Sequence, residues 1–355
     1  MARTCELLAP FEPPEPEIFT SPATGFRMRA EFRVWHDGDG LDYVMFRPDD
    51  PKTPVVIDNF PIADESIQTL MPLLLKQIRP NAVLRRKLFQ IEFLSTLSGE
   101  MLVSLIYHRK LDEEWERATN ALRQTLQADF PCLSIIGRSR RQKIVQGNDY
   151  VTECLTVNGL EYRYVQYEQA FTQPNACVNT RMLEWACARA IEWPRADLLE
   201  LFCGNGNFTL PLSRYFEQVV ATELAKVSVR AARANLEMNA INNVTMVRLS
   251  AQEVTQAING EREFRRLAEL KQPLAQFDLR TLFVDPPRAG LDAHTLGMAS
   301  QFDYVLYISC NPRTLSDNLS VLGDSHRITH FALFDQFPYT DHMECGVALA
   351  RKRAS

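Results

Sequence analysis

Residues 198–213 read LLELFCGNGNFTLPLS: an apolar run, a turn that holds Gly204 and Gly206, and the start of a helix. A strand that feeds a glycine-bearing turn and then a helix opens a βαβ unit, and the glycines let the backbone come close to a ligand. The third glycine of the dinucleotide fingerprint is replaced by Phe208, which argues against a pyrophosphate. Glu223 ends the next run, QVVATE, where a carboxylate can accept from both hydroxyls of a ribose. Turn and acidic strand end together suit a nucleoside ligand, and Ser250 to Glu253, after VTMVRL, lies where a loop would border an adenine.

From Asp197 onward the chain alternates short apolar runs with helical stretches: DLLELFC, QVVATEL, VTMVRL, TLFVDPP, YVLYISC, ITHFALFDQFP and CGVALAR. This is the pattern of a doubly wound, Rossmann-like sheet whose last two runs form an antiparallel pair at one edge. Two of the runs end in chemistry-bearing residues. FVDPPRAGL sets Asp285 before two prolines, which fix the backbone and remove two amide donors. YVLYISCNP ends on Cys310, with Pro312 barring further pairing. The carboxyl edge of a parallel sheet is where ligands bind, so that thiol is either a core filler or a nucleophile.

The first half has another texture. FRMRAEFRVWHDGDGLDYVMF alternates apolar and charged residues around HDGDG, a hairpin signal. A helix is expected over Ser66–Ile78, two strands around Ser98-Gly99, a helix over Asp112–Ala128, and strands in LSIIGR, YVTECLTVNG and LEYRYVQ. The expectation is an α+β, largely antiparallel domain over 1–175 and a Rossmann-like domain over 176–355. Residues 1 to about 20, rich in Pro and Glu, read as an extended arm, and Ile258–Gln272 as a charged helix.

Bulk composition limits the functions open to this chain of 355 residues. It is 46% hydrophobic and 23% charged, and no apolar run is long enough to cross a bilayer, so a cytoplasmic protein without a membrane partner is expected. The start lacks the apolar core and cleavage site of a signal peptide. Eight cysteines without a C-x-x-C pair argue against zinc, an iron–sulfur cluster or a disulfide framework. The net charge of -5 looks wrong for a nucleic-acid binder, yet the first half holds Arg85-Arg86-Lys87, His108-Arg109-Lys110 and the run Arg138, Arg140, Arg141, Lys143. Phosphate is bound by local clusters of this kind rather than by the sum of charge.

DPPRAG followed by ISCNPRTL, and then FDQFPYTDHMECGVALARK, resembles the RNA uridine-5 methyltransferases. That resemblance implies S-adenosyl-L-methionine as methyl donor, Cys310 as the nucleophile that adds to C6 of uracil, and Glu344 as the base that removes the C5 proton. The chemistry needs both: C5 is too weak a nucleophile until a thiolate has added to C6, and the C5 proton must leave before the thiol does. By the same match Gln173 in FTQPN, Phe202, Asn207, Glu223 and Asp285 contact the donor beside Gly204, Phe171 lines the base pocket, and Arg288 orients donor or base. Cys203 and Cys345 read as packing residues.

TGFRMRAEFRVWHDG and YHRKLDEEW, with the missing four-cysteine motif, resemble the tRNA branch of the family. This implies a monomeric enzyme acting on the T loop of tRNA, and on other RNAs with a T-like loop, without a metal. The target base must be turned out of its stack to reach Cys310, with the basic clusters holding phosphates and Tyr107 offered as a stacking ring. The alternatives are a ribosomal-RNA uridine-5 methyltransferase without its cluster, and an RNA chaperone acting on tRNA folding.

Overall fold

The computed structural model describes residues 1–38 and 40–353. Its strands are β1 (Glu17–Phe19), β2 (Arg29–Asp37), β3 (Gly40–Arg47), β4 (Asp50–Val56), β5 (Leu88–Ser95), β6 (Met101–Tyr107), β7 (Leu133–Ser139), β8 (Gln142–Gln146), β9 (Tyr150–Val157) and β10 (Leu160–Tyr167). The second half adds β11 (Asp197–Leu201), β12 (Val219–Thr222), β13 (Val244–Val247), β14 (Leu279–Val284), β15 (Tyr304–Ser309), β16 (His326–Phe334) and β17 (Glu344–Arg351). Residues 1–21, 155–165 and 177–355 form one compact unit, and 22–154 with 166–176 the other. The single break expected after residue 175 is replaced by crossings at 21/22, 154/155, 165/166 and 176/177.

The larger unit is the Rossmann-like sheet, in the order β1-β16-β17-β15-β14-β11-β12-β13. β13, β12, β11, β14 and β15 run parallel, as buried apolar strands joined by helices must, and β17 runs antiparallel between β15 and β16. The strand order reverses beside β11, so the ligand crevice opens at the carboxyl ends of β11, β14 and β15. The opening segment is no loose arm. Ala2–Leu8 is helical with Leu8 in the core, β1 pairs in parallel with β16, and Phe19 stacks on Phe334 at 4.9 Å. Its three apolar-edged residues carry no period of their own, and the partner that makes them a strand is remote in sequence.

The expected charged helix over 258–272 is also absent. Only Arg265–Glu269 turns, as a short 3-10 segment, because Phe264 and Leu270 dock into the core and the charges pair at home. Arg266 bonds Glu253 at 3.1 Å and Arg233 bonds Glu269.

The smaller unit holds a seven-stranded sheet, β4-β3-β2-β5-β6-β7-β8, antiparallel except where β6 meets β7. That crossover is the Glu113–Leu126 helix, capped by Asp112 on Trp115 N and carrying Trp115, Thr119, Leu122 and Leu126 on its buried face. Trp115 is fully buried, worth about 2–3 kcal/mol on area grounds, and it lies where a Cβ on Gly137 would be 2.0 Å from its ring. Glycine at 137 is therefore required. β4 and β8 carry no clear alternation; the prolines of β4 are tolerated because it is an edge strand.

Candidate active site

The turn after β11 is strained where a ligand loop is expected to be. Phe202 has φ +59 and Gly204 φ +56, and a Cβ on Gly204 would meet nothing within 4 Å, so its backbone faces open space. Holding a phenylalanine in the left-handed region costs roughly 1–2 kcal/mol. Glu223, directly after β12, pins the turn: one carboxylate oxygen accepts from Gly204 N at 3.1 Å and the other from Leu224 and Ala225 N at 2.7 and 2.8 Å. Asn207 exchanges two amide hydrogen bonds with Asn179, at 2.9 and 2.8 Å, and its carbonyl accepts from Tyr164. Buried Asn235 donates to Asn205 O at 2.8 Å. Cys203 is buried against Met246, 3.5 Å between sulfurs, as a packing residue would be.

Beneath the turn lies Glu200, which the reading of β11 as a plain apolar strand passes over. It is fully buried, with only the Thr209 hydroxyl beside its carboxyl, and neither group finds a well-aligned hydrogen-bond partner among the described residues. Burial, helped by the charge of Asp285, pushes its pKa up to about 8. A buried carboxyl with no cation from its own chain is costly, and it suits a ligand that brings positive charge or donors. Together with the open side of Gly204 and the half-exposed Glu223, it makes a cradle that fits a nucleoside bearing a sulfonium and an ammonium.

Three strand ends meet at the neighbouring edge. Asp285 follows β14, Cys310 follows β15, and the β15–β17 ladder pairs Ser309 with Cys345. Glu344 opens β17 one residue before Cys345, so Glu344 and Cys310 flank that pair. Glu344 is buried and Cys310 half-buried. Burial raises Asp285 to about 7. Burial and the Asp285 charge raise Glu344 to about 8. Burial, then Glu344 and Asp285, push the Cys310 thiol up to about 11, against the opposing pull of Arg288. Three groups whose pKa values are raised by burial thus share one edge. Cys345 is fully buried in the core, with its thiol pushed far up by burial.

A polar spine on the Pro312–Leu322 helix locks the Asp285 loop to the Cys310 strand. Asn311 and Thr314 donate to Arg288 O at 3.0 and 3.1 Å. Buried Asn318 accepts from Leu291 N and from the Tyr307 hydroxyl, both at 2.8 Å, and donates back to Leu291 O at 3.3 Å. Gly290 passes so close, at φ +74, that a Cβ there would lie 2.8 Å from Asn318 Oδ1. Asn179, Asn235 and Asn318 are all missing from the sequence-based set, because a single asparagine on a helix gives no periodic signal.

In the smaller unit the basic clusters divide into structural and available cations. Arg109 is spent on Arg86 O, Lys110 O and Val83 O, and Arg85 donates to Arg79 O. Arg138 forks onto Glu168, and Lys143 pairs with Asp149 and Glu168 at 2.8 and 3.4 Å. Tyr107 is no stacking platform: it is buried, donates to Leu84 O at 2.9 Å and packs edge-on against Trp115. A platform does exist at Phe89, which sits at a bulge in the β5–β6 ladder. Its ring carries the Arg33 guanidinium at 4.0 Å and the His108 ring at 3.9 Å, and both of those residues are exposed. Phe171 is 73% exposed, and Gln173 is half-buried in the same unit, outside the catalytic cluster's own unit.

No group of histidine, cysteine or acidic residues among those described could hold a metal ion, and none of the described helices is long and apolar enough to cross a membrane. A family model described as tRNA (Uracil-5-)-methyltransferase matches residues 1–352. A protein of Acinetobacter baumannii named tRNA/tmRNA (uracil-C(5))-methyltransferase is 55% identical over 344 residues, 96% of this chain and 94% of that one. A protein of the same name from Vibrio parahaemolyticus is 53% identical over 350 residues, 99% of this chain and 94% of that one. The fold is shared with the crystal structure of Pyrococcus abyssi tRNA (uracil-54, C5)-methyltransferase in complex with S-adenosyl-L-homocysteine. The TM-score is 0.73 at 19% identity, over 98% of this chain and 81% of that one. With a near-complete family match and relatives at this identity, the chain belongs to the tRNA (uracil-5-)-methyltransferase family.

Proposed function

We propose that this enzyme methylates C5 of the T-loop uridine of tRNA, giving 5-methyluridine, with S-adenosyl-L-methionine as donor. The observation that supports the reading is the Ser309–Cys345 pair that ends the β15–β17 ladder, flanked by Cys310 and Glu344, with Asp285 following the adjoining strand β14. The thiolate of Cys310 adds to C6, the electron pair moves to C5 and the O4 enolate, and C5 takes the methyl group that the donor supplies. The Glu344 carboxylate then removes the C5 proton, and the returning pair expels Cys310. Glu223 and the Gly204 turn hold the nucleoside, and Phe202 and Asn207 border it. Asp285 and Glu200 face the donor's positive charge.

The smaller unit grips the RNA through its exposed cations and the Arg33–Phe89–His108 stack, on which a splayed base finds a π face. Relatives named for both tRNA and tmRNA support extending the substrate to other RNAs with a T-like loop. The test is the Glu344→Gln variant incubated with donor and unmodified tRNA, read by denaturing electrophoresis and mass spectrometry. A protein–RNA adduct one methyl heavier should accumulate and vanish in Cys310→Ala. Wild-type turnover without any adduct in the variant would overturn the assignment of Glu344.

A further inference from the structure

A groove of about 850 Å³ lies in the smaller unit between the end of β6 and the turn that joins β7 to β8. Its lining includes His108, Lys110, Arg138, Arg140 and Arg141, and no carboxylate. This is an unusual concentration in a chain of net charge -5. Arg138 is neutralised by Glu168, whereas Lys110, Arg140 and Arg141 make no ion pair among the described residues. The walls are fixed before any ligand arrives. Ser139 donates to Arg109 O, and the Gln142 side chain takes both backbone groups of Leu111, accepting from N at 2.9 Å and donating to O at 3.1 Å.

The turn itself breaks a local rule. Ser139 pairs with Gln142, leaving Arg140-Arg141 as a two-residue hairpin loop, and Arg141 is held at φ +62. Arg140 is not in the left-handed region, and the second position, where φ is positive, is one that favours glycine. Here two arginines occupy it, and no hydrogen bond or ion pair of their side chains among the described residues accounts for them.

We propose that this groove is a backbone-phosphate site for the substrate RNA, in which Lys110, Arg140 and Arg141 neutralise successive phosphates on the strand that reaches His108. The inference rests on the RNA reading above and assigns where the strand runs. Its test replaces the tip by Arg140→Asn with Arg141→Gly, which removes both charges and puts glycine at the positive-φ position. A second variant, Arg140→Lys with Arg141→Lys, keeps the charge.

Binding of unmodified tRNA is measured by filter retention across a salt series. The Asn-Gly variant should lose about fivefold to tenfold in affinity near 0.15 M salt, and its plot of log affinity against log salt should be shallower by roughly 1.5. The double-lysine variant should stay close to wild type. Unchanged affinity and slope in the Asn-Gly variant would overturn the proposal. Methylation of the same tRNA by wild type is scored separately: its absence strikes the methylation reading and leaves the salt slope to decide the groove.

Discussion

Glu344 opens β17 one residue before Cys345, and Cys310 follows β15 one residue after Ser309, so the two flank the last pair of the antiparallel β15–β17 ladder. The nucleophile and base of the proposed reaction thus sit at the ends of adjoining strands, which limits changes in their separation. The helix that begins at Pro312 immediately after the thiol points its amino end at this edge, and its dipole favours the thiolate.

The reaction should be slow at neutral pH and rise as pH rises. Glu344 acts as a base only when ionised, and with a pKa pushed up to about 8 its carboxylate is the minority form at pH 7. Methylation at limiting donor, which reports the free enzyme's groups, should increase through pH 8 in wild type. A flat profile over pH 6.5 to 9 would contradict the role given to Glu344.

Donor binding should release protons. Asp285, Glu344 and Glu200 sit at about 7, about 8 and about 8 with no cation of the chain paired to them. A sulfonium placed among them favours their charged forms and lowers all three pKa values. Calorimetric titration of the donor at pH 7.5 in buffers of different ionisation enthalpy should show net release. Proton uptake, or none, would place the cation elsewhere.

Glu200 costs stability in the free protein. Its folded pKa of about 8 exceeds that of an unfolded glutamate, so the native state holds its proton longer, and stability is lost as pH rises from the unfolded value through the folded one. Glu200→Gln should therefore match wild type near pH 4 and gain on it toward pH 8.5, by at most about 1.4 kcal/mol per pH unit. Urea midpoints at several pH values measure this directly. The same variant should bind the donor more weakly.

Asn318 makes the Asp285 loop and the Cys310 strand into one piece. Asn318→Leu removes partners from Leu291 N and the Tyr307 hydroxyl and should cost roughly 2–3 kcal/mol of stability. The Tyr307→Phe variant should cost about 1 kcal/mol and leave the loop's backbone bonds in place. If adduct formation slows in the first variant and not in the second, Asn318 acts through the loop.

The seven runs of the catalytic sheet are legible in sequence because strands buried on both faces read as continuous apolar text. The β2–β3 pairing and the Glu113–Leu126 helix are legible through alternation and period, while Asp39 of HDGDG lies outside the described residues. β1 is not, since its partner β16 is remote in sequence, and β4 and β8, although hairpin partners of β3 and β7, carry no clear alternation. Ile258–Gln272 misleads for a related reason: its charges look solvated until Glu253 and Arg233 are found beside them. At the site, Cys310, Asp285 and Glu344 stand out because they interrupt apolar strand ends. Glu200 stands one residue inside its strand and is hidden by its neighbours.

The pairing of β1 with β16 bears on how the chain matures. Glu17–Phe19 leaves the ribosome long before His326–Phe334 exists, so this edge cannot zip up during early synthesis. Residues 22–154 and 166–176 can consolidate meanwhile, and the catalytic sheet closes late, over an opening segment that has waited in the open. Nascent chains stalled before β16 should accordingly expose Leu8 and Phe19 to chaperones, a burden that ends when β16 and β17 arrive.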